Sequence, residues 1–400
     1  MTKRVKLAAD GNRREYKEEE EEEEEGISNL IPGLPDDVAL LCLSKIRPSL
    51  LYCVCSSWRR LIYSPLFPPF LSLYTLCVPT CSNLNSITPT ATNAIQLMNF
   101  DPISSQWISI PLPSAPEPPI RLLLRHPSFL SRNLPIQSVA AADSLILLAA
   151  TTQRLLPALP RPLVFTPLSS SSSKWSHGSP IAVPRRWCAA GALGRTVFLA
   201  SGIGSHFSSD VARSFEKWEF PKNADNTTKS SNRNIGTGKW EKLGSLKDGR
   251  FCREAIDAVG WRGKLCMVNV KGNAAKEGAV YDVGHDRWEE MPERMIAGWR
   301  GPAAAMEEDV IYVVDESKGV LRRYDDENDG WVDVLESERL RKAQHIAAAR
   351  GRVCVVVGGG ESGGVVMVDV VASPPRLWVV DMPPGLEAVA VHILPRMNKP

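Results

Sequence analysis

The sequence predicts a mainly β protein, a six-bladed β-propeller preceded by a small all-α module and a disordered acidic N-terminal tail. Three observations carry this. A tryptophan recurs at Trp107, Trp175, Trp240, Trp288, Trp331 and Trp378, at intervals of 68, 65, 48, 43 and 47 residues. A unit of small-residue strand, tight turn and β-branched strand recurs ahead of these tryptophans. Apolar residues at helical spacing are confined to the segment before residue 68. A repeat of about 40 to 50 residues built from short strands is the signature of propeller blades.

In chain order, residues 1–26 come first. Glu18 to Glu25 is an unbroken acidic run, and residues 1–25 hold six Lys/Arg against ten Asp/Glu. Such a run repels itself and cannot enter a core, so 1–26 is read as a disordered tail. Lys3-Arg4 and Arg13-Arg14 are read as solvated, with a weak nuclear-import signal as the alternative.

Residues 27–67 change character. Asp36 is placed as an N-cap ahead of Val38, Leu41 and Cys42, which share a helical face, and Pro48 ends that helix. Leu51, Val54, Cys55, Trp58, Leu61 and Ile62 then form one helical stripe ended by Pro65. About thirty residues make too small a core to stand alone, which calls for a partner.

Residues 68–397 form the propeller. The clearest inner hairpins are Cys188 to Gly202, Pro302 to Val314 and Ile346 to Gly359, with further copies at Ser138 to Ala150 and Ala255 to Val270. Inner strands crowd round the axis, which suits Ala140 to Ala142, Ala189, Ala190, Ala303 to Ala305 and Ala347 to Ala349. The tryptophans, far out along each unit, are expected to fill the gaps between blades. Phe100-Asp101, Tyr281-Asp282 and Tyr324-Asp325 place an aromatic seven residues before the tryptophan in three hairpins. Blade 1, starting near Phe70, lacks an inner strand, and residues 387–394 are expected to supply it, because an open ring leaves sheet edges unpaired. Pro111 to Pro119 and Asn223 to Gly238 read as a linker and a loop.

The composition excludes several classes. The 400 residues carry a formal charge of +2 with no basic stripe, so no nucleic-acid partner is expected. No apolar stretch reaches membrane length and the start lacks the apolar run of a signal peptide, so no membrane partner is expected and the chain is placed in the cytoplasm, the nucleus or both. Nine cysteines without framework spacing fit reduced thiols. Catalytic and metal sites were sought by spacing: there is no His-x-x-x-His, no repeated Cys-x-x-Cys and no serine nucleophile elbow, so no catalytic residue, metal or cofactor is assigned. Gly358 to Gly363 satisfies G-x-G-x-x-G, but the strand-forming Val365-Val-Met-Val follows where a phosphate site needs a helix N-terminus.

Leu34-Pro-Asp-Asp-Val-Ala through Val54-Cys-Ser-Ser-Trp-Arg-Arg-Leu-Ile-Tyr-Ser-Pro65 closely resembles an F-box, in three matched blocks and in the expected order. With the Trp-ended blades, residues 27–400 look like the plant F-box/kelch-repeat family, the kelch double glycine surviving at Gly358-Gly359. The resemblance implies a kelch-type propeller, an F-box that docks the Skp adaptor and through it a cullin, and a propeller that presents an unknown protein substrate for ubiquitination. The alternative is a propeller scaffold or sensor whose F-box acts outside the ligase. The adaptor-binding candidates are Leu34, Pro35, Val38, Leu41, Cys42, Val54, Cys55 and Trp58, shared between internal packing and the adaptor's groove. Substrate-binding candidates are the Arg-aromatic pairs before inner strands, Arg186-Trp187, Arg250-Phe251 and Trp299-Arg300. Those rings could equally wedge between blades. Ser205 to Asp210 is a second candidate surface.

Overall fold

The computed structural model describes residues 30–397, leaving out 65, 81–94, 112–135, 151–158, 170–173, 186, 205–207, 221–237, 248, 250, 252–255, 270–276 and 359–363. The acidic tail, most of the Pro111 to Pro119 linker and nearly all of Asn223 to Gly238 therefore lie outside the described residues. The chain falls into two compact units, divided between Phe67 and Pro68. The first is helical. The second is a propeller of six four-stranded antiparallel sheets.

Blade 1 is β1 (Leu71–Pro79), β2 (Gln96–Asp101) and β3 (Gln106–Ile110), completed on its inner side by the C-terminal strand β24 (Leu386–Pro395). Blade 2 is β4 (Ile136–Ala141), β5 (Ser144–Ala150), β6 (Leu163–Phe165) and β7 (Trp175–His177). Blade 3 is β8 (Ala189–Leu193), β9 (Thr196–Ala200), β10 (Phe215–Glu219) and the two-residue β11 (Glu241–Lys242). Blade 4 is β12 (Ile256–Trp261), β13 (Lys264–Asn269), β14 (Gly278–Asp282) and β15 (Arg287–Glu290). Blade 5 is β16 (Ala303–Met306), β17 (Val310–Asp315), β18 (Val320–Asp325) and β19 (Gly330–Glu336). Blade 6 is β20 (Ala343–Ala349), β21 (Arg352–Val357), β22 (Gly364–Asp369) and β23 (Arg376–Val380).

The inner strands touch in a closed cycle, β24 to β4, β8, β12, β16, β20 and back to β24. Closure is thus made by hydrogen-bonding the end of the chain to its first strand, with Leu71 opposite Pro395 and Pro79 opposite Leu386. Such pairing removes the two edges an open ring would expose. Small residues are required where the cycle is tightest. A Cβ on Gly260 of β12 would meet the Ala192 carbonyl oxygen of β8 at 1.9 Å.

The inner hairpins turn through positive φ, at Ala142 and Asp143 in blade 2, Arg262 and Gly263 in blade 4, Glu307 and Glu308 in blade 5, and Arg350 and Gly351 in blade 6. Two successive residues with φ > 0 match the twist of the flanking strands, which is why these turns are tight. At the outer ends of blades the aspartates do similar local work. The Asp101 carboxylate accepts the Ile103 N–H at 3.1 Å, and Asp282 and Asp325 accept those of His285 and Glu327 at 3.0 and 3.2 Å. The bonds of Asp101 and Asp325, two residues on, are Asx turns, that of Asp282 reaches one residue further, and together they account for the aspartate of the aromatic-Asp pairs.

The tryptophans join neighbouring blades, as their position implies. In four blades the outer-strand tryptophan lies across the sheet from an aromatic: Phe100 with Trp107, Phe165 with Trp175, Tyr281 with Trp288 and Tyr324 with Trp331, ring centroids 5.0 to 5.2 Å apart. Each indole N–H then leaves its own blade. Trp107 donates to Asp381, Trp175 to Pro111, Trp240 to Ser179, Trp288 to Gly244 and Trp331 to Arg294, all at backbone carbonyls and at 2.8 to 3.0 Å. Every acceptor lies just past the outer strand of the preceding blade. Trp378 departs from the rule: it lies across from Met367 and beneath the Arg352 guanidinium, with no such bond among the described residues.

A second set of ties runs between inner strands. Gln137 Oε1 accepts the Cys188 N–H at 2.9 Å, Asp257 Oδ2 accepts that of Ala303 at 2.8 Å, and His345 Nδ1 accepts that of Val391 at 3.3 Å. Gln137, Asp257 and His345 stand at one repeat position, five residues before the first turn residue, and they link blade 2 to 3, 4 to 5, and 6 to 1. In blades 3 and 5 the same position holds Ala189 and Pro302.

Candidate functional site

The helical unit is built from three short helices, α1 (Asp36–Leu43), α2 (Pro48–Tyr52) and α3 (Ser56–Ile62). The single stripe expected from Leu51 to Ile62 is therefore two helices. The chain leaves α2 at Cys53, and Cys55 becomes the N-cap of α3, its sulfur accepting the Trp58 N–H at 3.4 Å. Pro48, expected to stop a helix, starts one instead, since the first helical position needs no N–H and the proline φ is already helical. Pro35 rather than Asp36 is the N-cap of α1. The Asp36 carboxylate reaches back to accept the Leu30 N–H at 2.9 Å, and with Asp37 it lies where the helix dipole favours negative charge.

Ala39, Leu43, Leu51, Leu61, Ile62 and Phe67 are buried in this unit. The α1 residues on the other face stay in solvent: Val38, Leu41 (66% exposed) and Cys42, with Pro35 ahead of them. Val54 (59% exposed) and Cys55 are exposed between α2 and α3. Leu34 and Trp58 are half-buried. Trp58 has an internal task, its indole N–H donating to the Leu30 carbonyl at 2.7 Å and so pinning the strand of chain that enters α1. Ile46, Leu50 and Leu66 are also exposed and were not singled out from the sequence. Leu50 lies in α2 next to the buried Leu51 and off the apolar stripe that begins there. Val38, Leu41, Ile46, Leu50, Val54 and Leu66 are thus large apolar side chains that the described part of this unit leaves exposed.

The Arg-aromatic pairs of the propeller separate. Arg186 and Arg250 lie outside the described residues. Phe251 and Trp299 are buried in the apolar clusters between blades 3 and 4 and between blades 4 and 5, so they take the wedge role and offer no surface to a target. Trp187 is half-buried, with φ at +53°. Of the six residues only Arg300 is both described and exposed. The neighbouring Arg185, passed over in the sequence, is the structural arginine. It is buried, paired with Glu216 at 2.6 Å and donates to the Ser201 carbonyl at 3.3 Å, fastening the chain before β8 to β10 and β9. Ser205 to Asp210 is not an open loop where it is described. Ser209–Arg213 forms a short helix whose Val211 and Ala212 are buried.

Burial pushes the thiols of Cys77, Cys188 and Cys266 up to about 12, so they stay protonated and unreactive. Burial, and after it the neighbouring His345, holds the His392 imidazole well below its usual range. That ring sits 2.8 Å from Ser138 Oγ, at the join of β24 and blade 2. Among the described residues no three His, Cys, Asp or Glu side chains gather in a way that could hold a metal ion. Beyond Gly358 the next described residues are those of β22, antiparallel to β21.

Two curated relatives share most of the chain's length. The F-box/kelch-repeat protein SKIP25 of Arabidopsis thaliana is 52% identical over 379 residues, covering 93% of this chain and 91% of the relative. The F-box protein AFR of the same plant is 24% identical over 339 residues, covering 82% of each. No family model matches the chain.

Proposed function

Because this chain belongs to the F-box/kelch-repeat protein family, we propose that it is the target-recognition subunit of a Skp-cullin-F-box ubiquitin ligase. The helical unit docks the Skp adaptor, the propeller holds the protein to be ubiquitinated, and the chain contributes no chemical step of its own. It works in the cytoplasm, the nucleus or both.

The observation that carries this reading is the division of apolar residues in the helical unit. Its six buried side chains face inward, while Val38, Leu41, Leu50 and Val54 are left in water. Fully burying one such side chain is worth about 1.5 to 3 kcal/mol, so a partner groove that covers four of them gains enough for a stable complex. Membership of the F-box/kelch-repeat family supports the Skp adaptor as that partner. The propeller supports the other half by exclusion: its strands and tryptophans are consumed in closing the ring, which leaves loops and inter-blade clefts to meet a target.

The test is direct. The purified full-length chain is titrated with purified Skp adaptor, and a one-to-one complex is expected. A folded chain that forms no complex would favour a propeller scaffold acting outside a ligase.

A further inference from the structure

On blade 5, beside the connection that enters it from blade 4, lies an open cleft of about 710 Å³, lined by Gly298 and Arg300 of that connection, Lys318 and Arg322 from the β17–β18 side, and Trp331 and Asp333 of β19. Its floor is rigid. Gly298 lets the Trp331 ring lie against the backbone, since a Cβ there would stand 2.0 Å from Trp331 Cδ1. The indole N–H is held by the Arg294 and Met295 carbonyls at 3.0 and 3.2 Å.

The charges of the cleft do not cancel. Arg322 is spoken for, with Asp333 at 2.7 Å and the buried Asp315 at 3.6 Å. Arg300 and Lys318 are exposed and make no side-chain hydrogen bond or ion pair among the described residues. The corresponding cleft on blade 4, about 210 Å³ and bounded by Phe251 and Trp288, shows no such excess. Its lining sets Lys247 against Glu277, Glu289 and Glu290, with Glu289 engaged by Lys264 and Arg287. Two uncompensated cations beside a fixed aromatic ring, in a concave site, form an arrangement suited to carboxylates on an extended chain.

We propose that this cleft on blade 5 is the target-docking site of the propeller and that it takes an acidic peptide segment, with Glu or Asp side chains at Arg300 and Lys318 and an apolar side chain on Trp331. The assignment rests on the target-receptor reading and adds to it the chemistry of the target. Arg300 is the member of the Arg-aromatic pairs that is both described and exposed, and its companions in the cleft, Lys318 and Trp331, come from the blade it leads into rather than from the sequence neighbour Trp299.

Fluorescence anisotropy on the full-length chain tests this with three labelled peptides of one length, in which a central Leu is flanked by Glu, by Gln or by Lys. The Glu peptide is expected to bind best and to weaken with added salt. Binding should fall about fivefold in the R300A/K318A double variant, the sum of two exposed charge contacts. It should be kept in R300K and in the control K247A. Both altered side chains are exposed and unpaired, so an unchanged thermal transition is expected. Equal binding of the Glu and Gln peptides, or of the Glu peptide to wild type and double variant, overturns the proposal. So does a short duplex DNA that binds more tightly than the Glu peptide and is lost in the same variant. Adaptor titration of the same proteins separates the two readings: lost adaptor binding with intact peptide binding counts against the ligase function, and the reverse pattern against the cleft.

Discussion

Leu41→Ala isolates the docking face from the fold. The substitution removes three carbons, and a buried methylene is worth about 0.8 kcal/mol, so a fully covered side chain would lose about 2.4 kcal/mol. Leu41 is 66% exposed in the free chain, so about two-thirds of that, about 1.6 kcal/mol, is available to a partner. The expected result is an adaptor affinity about 15-fold weaker, with stability lowered by less than about 1 kcal/mol. Leu43, two residues away and 1% exposed, provides the contrast. Leu43→Ala opens a cavity and should cost about 2 to 5 kcal/mol of stability, weakening docking only through unfolding. Isothermal titration with purified Skp adaptor, paired with urea denaturation, measures both. If L41A binds within twofold of wild type while folded, or if the two variants cannot be told apart, the division of the unit into inward and outward faces is wrong.

Four further outcomes are expected. Truncation before β24 leaves blade 1 without its inner strand and should abolish the cooperative unfolding transition, whereas a truncated chain with an unchanged urea midpoint would mean the ring does not depend on closure. Trp288→Phe loses the bond to the Gly244 carbonyl and should cost about 1 kcal/mol; Trp378→Phe, with no such bond to lose, should cost less, and equal urea midpoints would contradict the inter-blade role. With a thiol reagent and mass spectrometry, Cys42, Cys53 and Cys55 should label in the native chain while Cys77, Cys188, Cys266 and Cys354 do not, and the adaptor should protect Cys42 and Cys55. His392 is held neutral by burial and by His345, so the native state binds fewer protons there than the unfolded chain. Its contribution is complete above the ordinary histidine value near ~6.5 and is lost as pH falls below it. Urea midpoints from pH 7 to 5 should drop less for His392→Gln than for wild type, and parallel curves would remove His392 from the acid response.

What could be read from the residues followed from how local each signal is. The tryptophans announce the blades because one large ring per repeat fills each gap, and its distance from the cross-strand aromatic is set by a single hairpin. Where the hairpin is longer, as between Phe165 and Trp175, the pairing exists but the seven-residue spacing does not, and the fourth copy went unseen. Inner strands were legible as runs of alanine, since crowding at the axis acts on every blade alike. In the helical unit the apolar set was found but its phase was lost, because one break at Cys53 rotates everything after it.

The inner-strand ties show what a reading confined to single repeats misses. Gln137, Asp257 and His345 have nothing in common as residue types, and no composition rule would group them. They are equivalent because each presents a side-chain acceptor to the backbone N–H of the next blade, a tie that blades 3 and 5, with Ala189 and Pro302 at this position, do not make there. Arg300 is the same lesson on the surface. Paired by sequence with Trp299 it suggested a two-residue hot spot, but adjacent residues on an extended stretch point apart, and Trp299 goes into the core while Arg300 stays in solvent. The ring that accompanies Arg300 is Trp331, thirty-one residues later, on the outer strand of the blade that the Arg300 connection enters. A binding surface of this kind joins a connection to a distant strand of its own blade, so its residues acquire meaning only once the blade is folded.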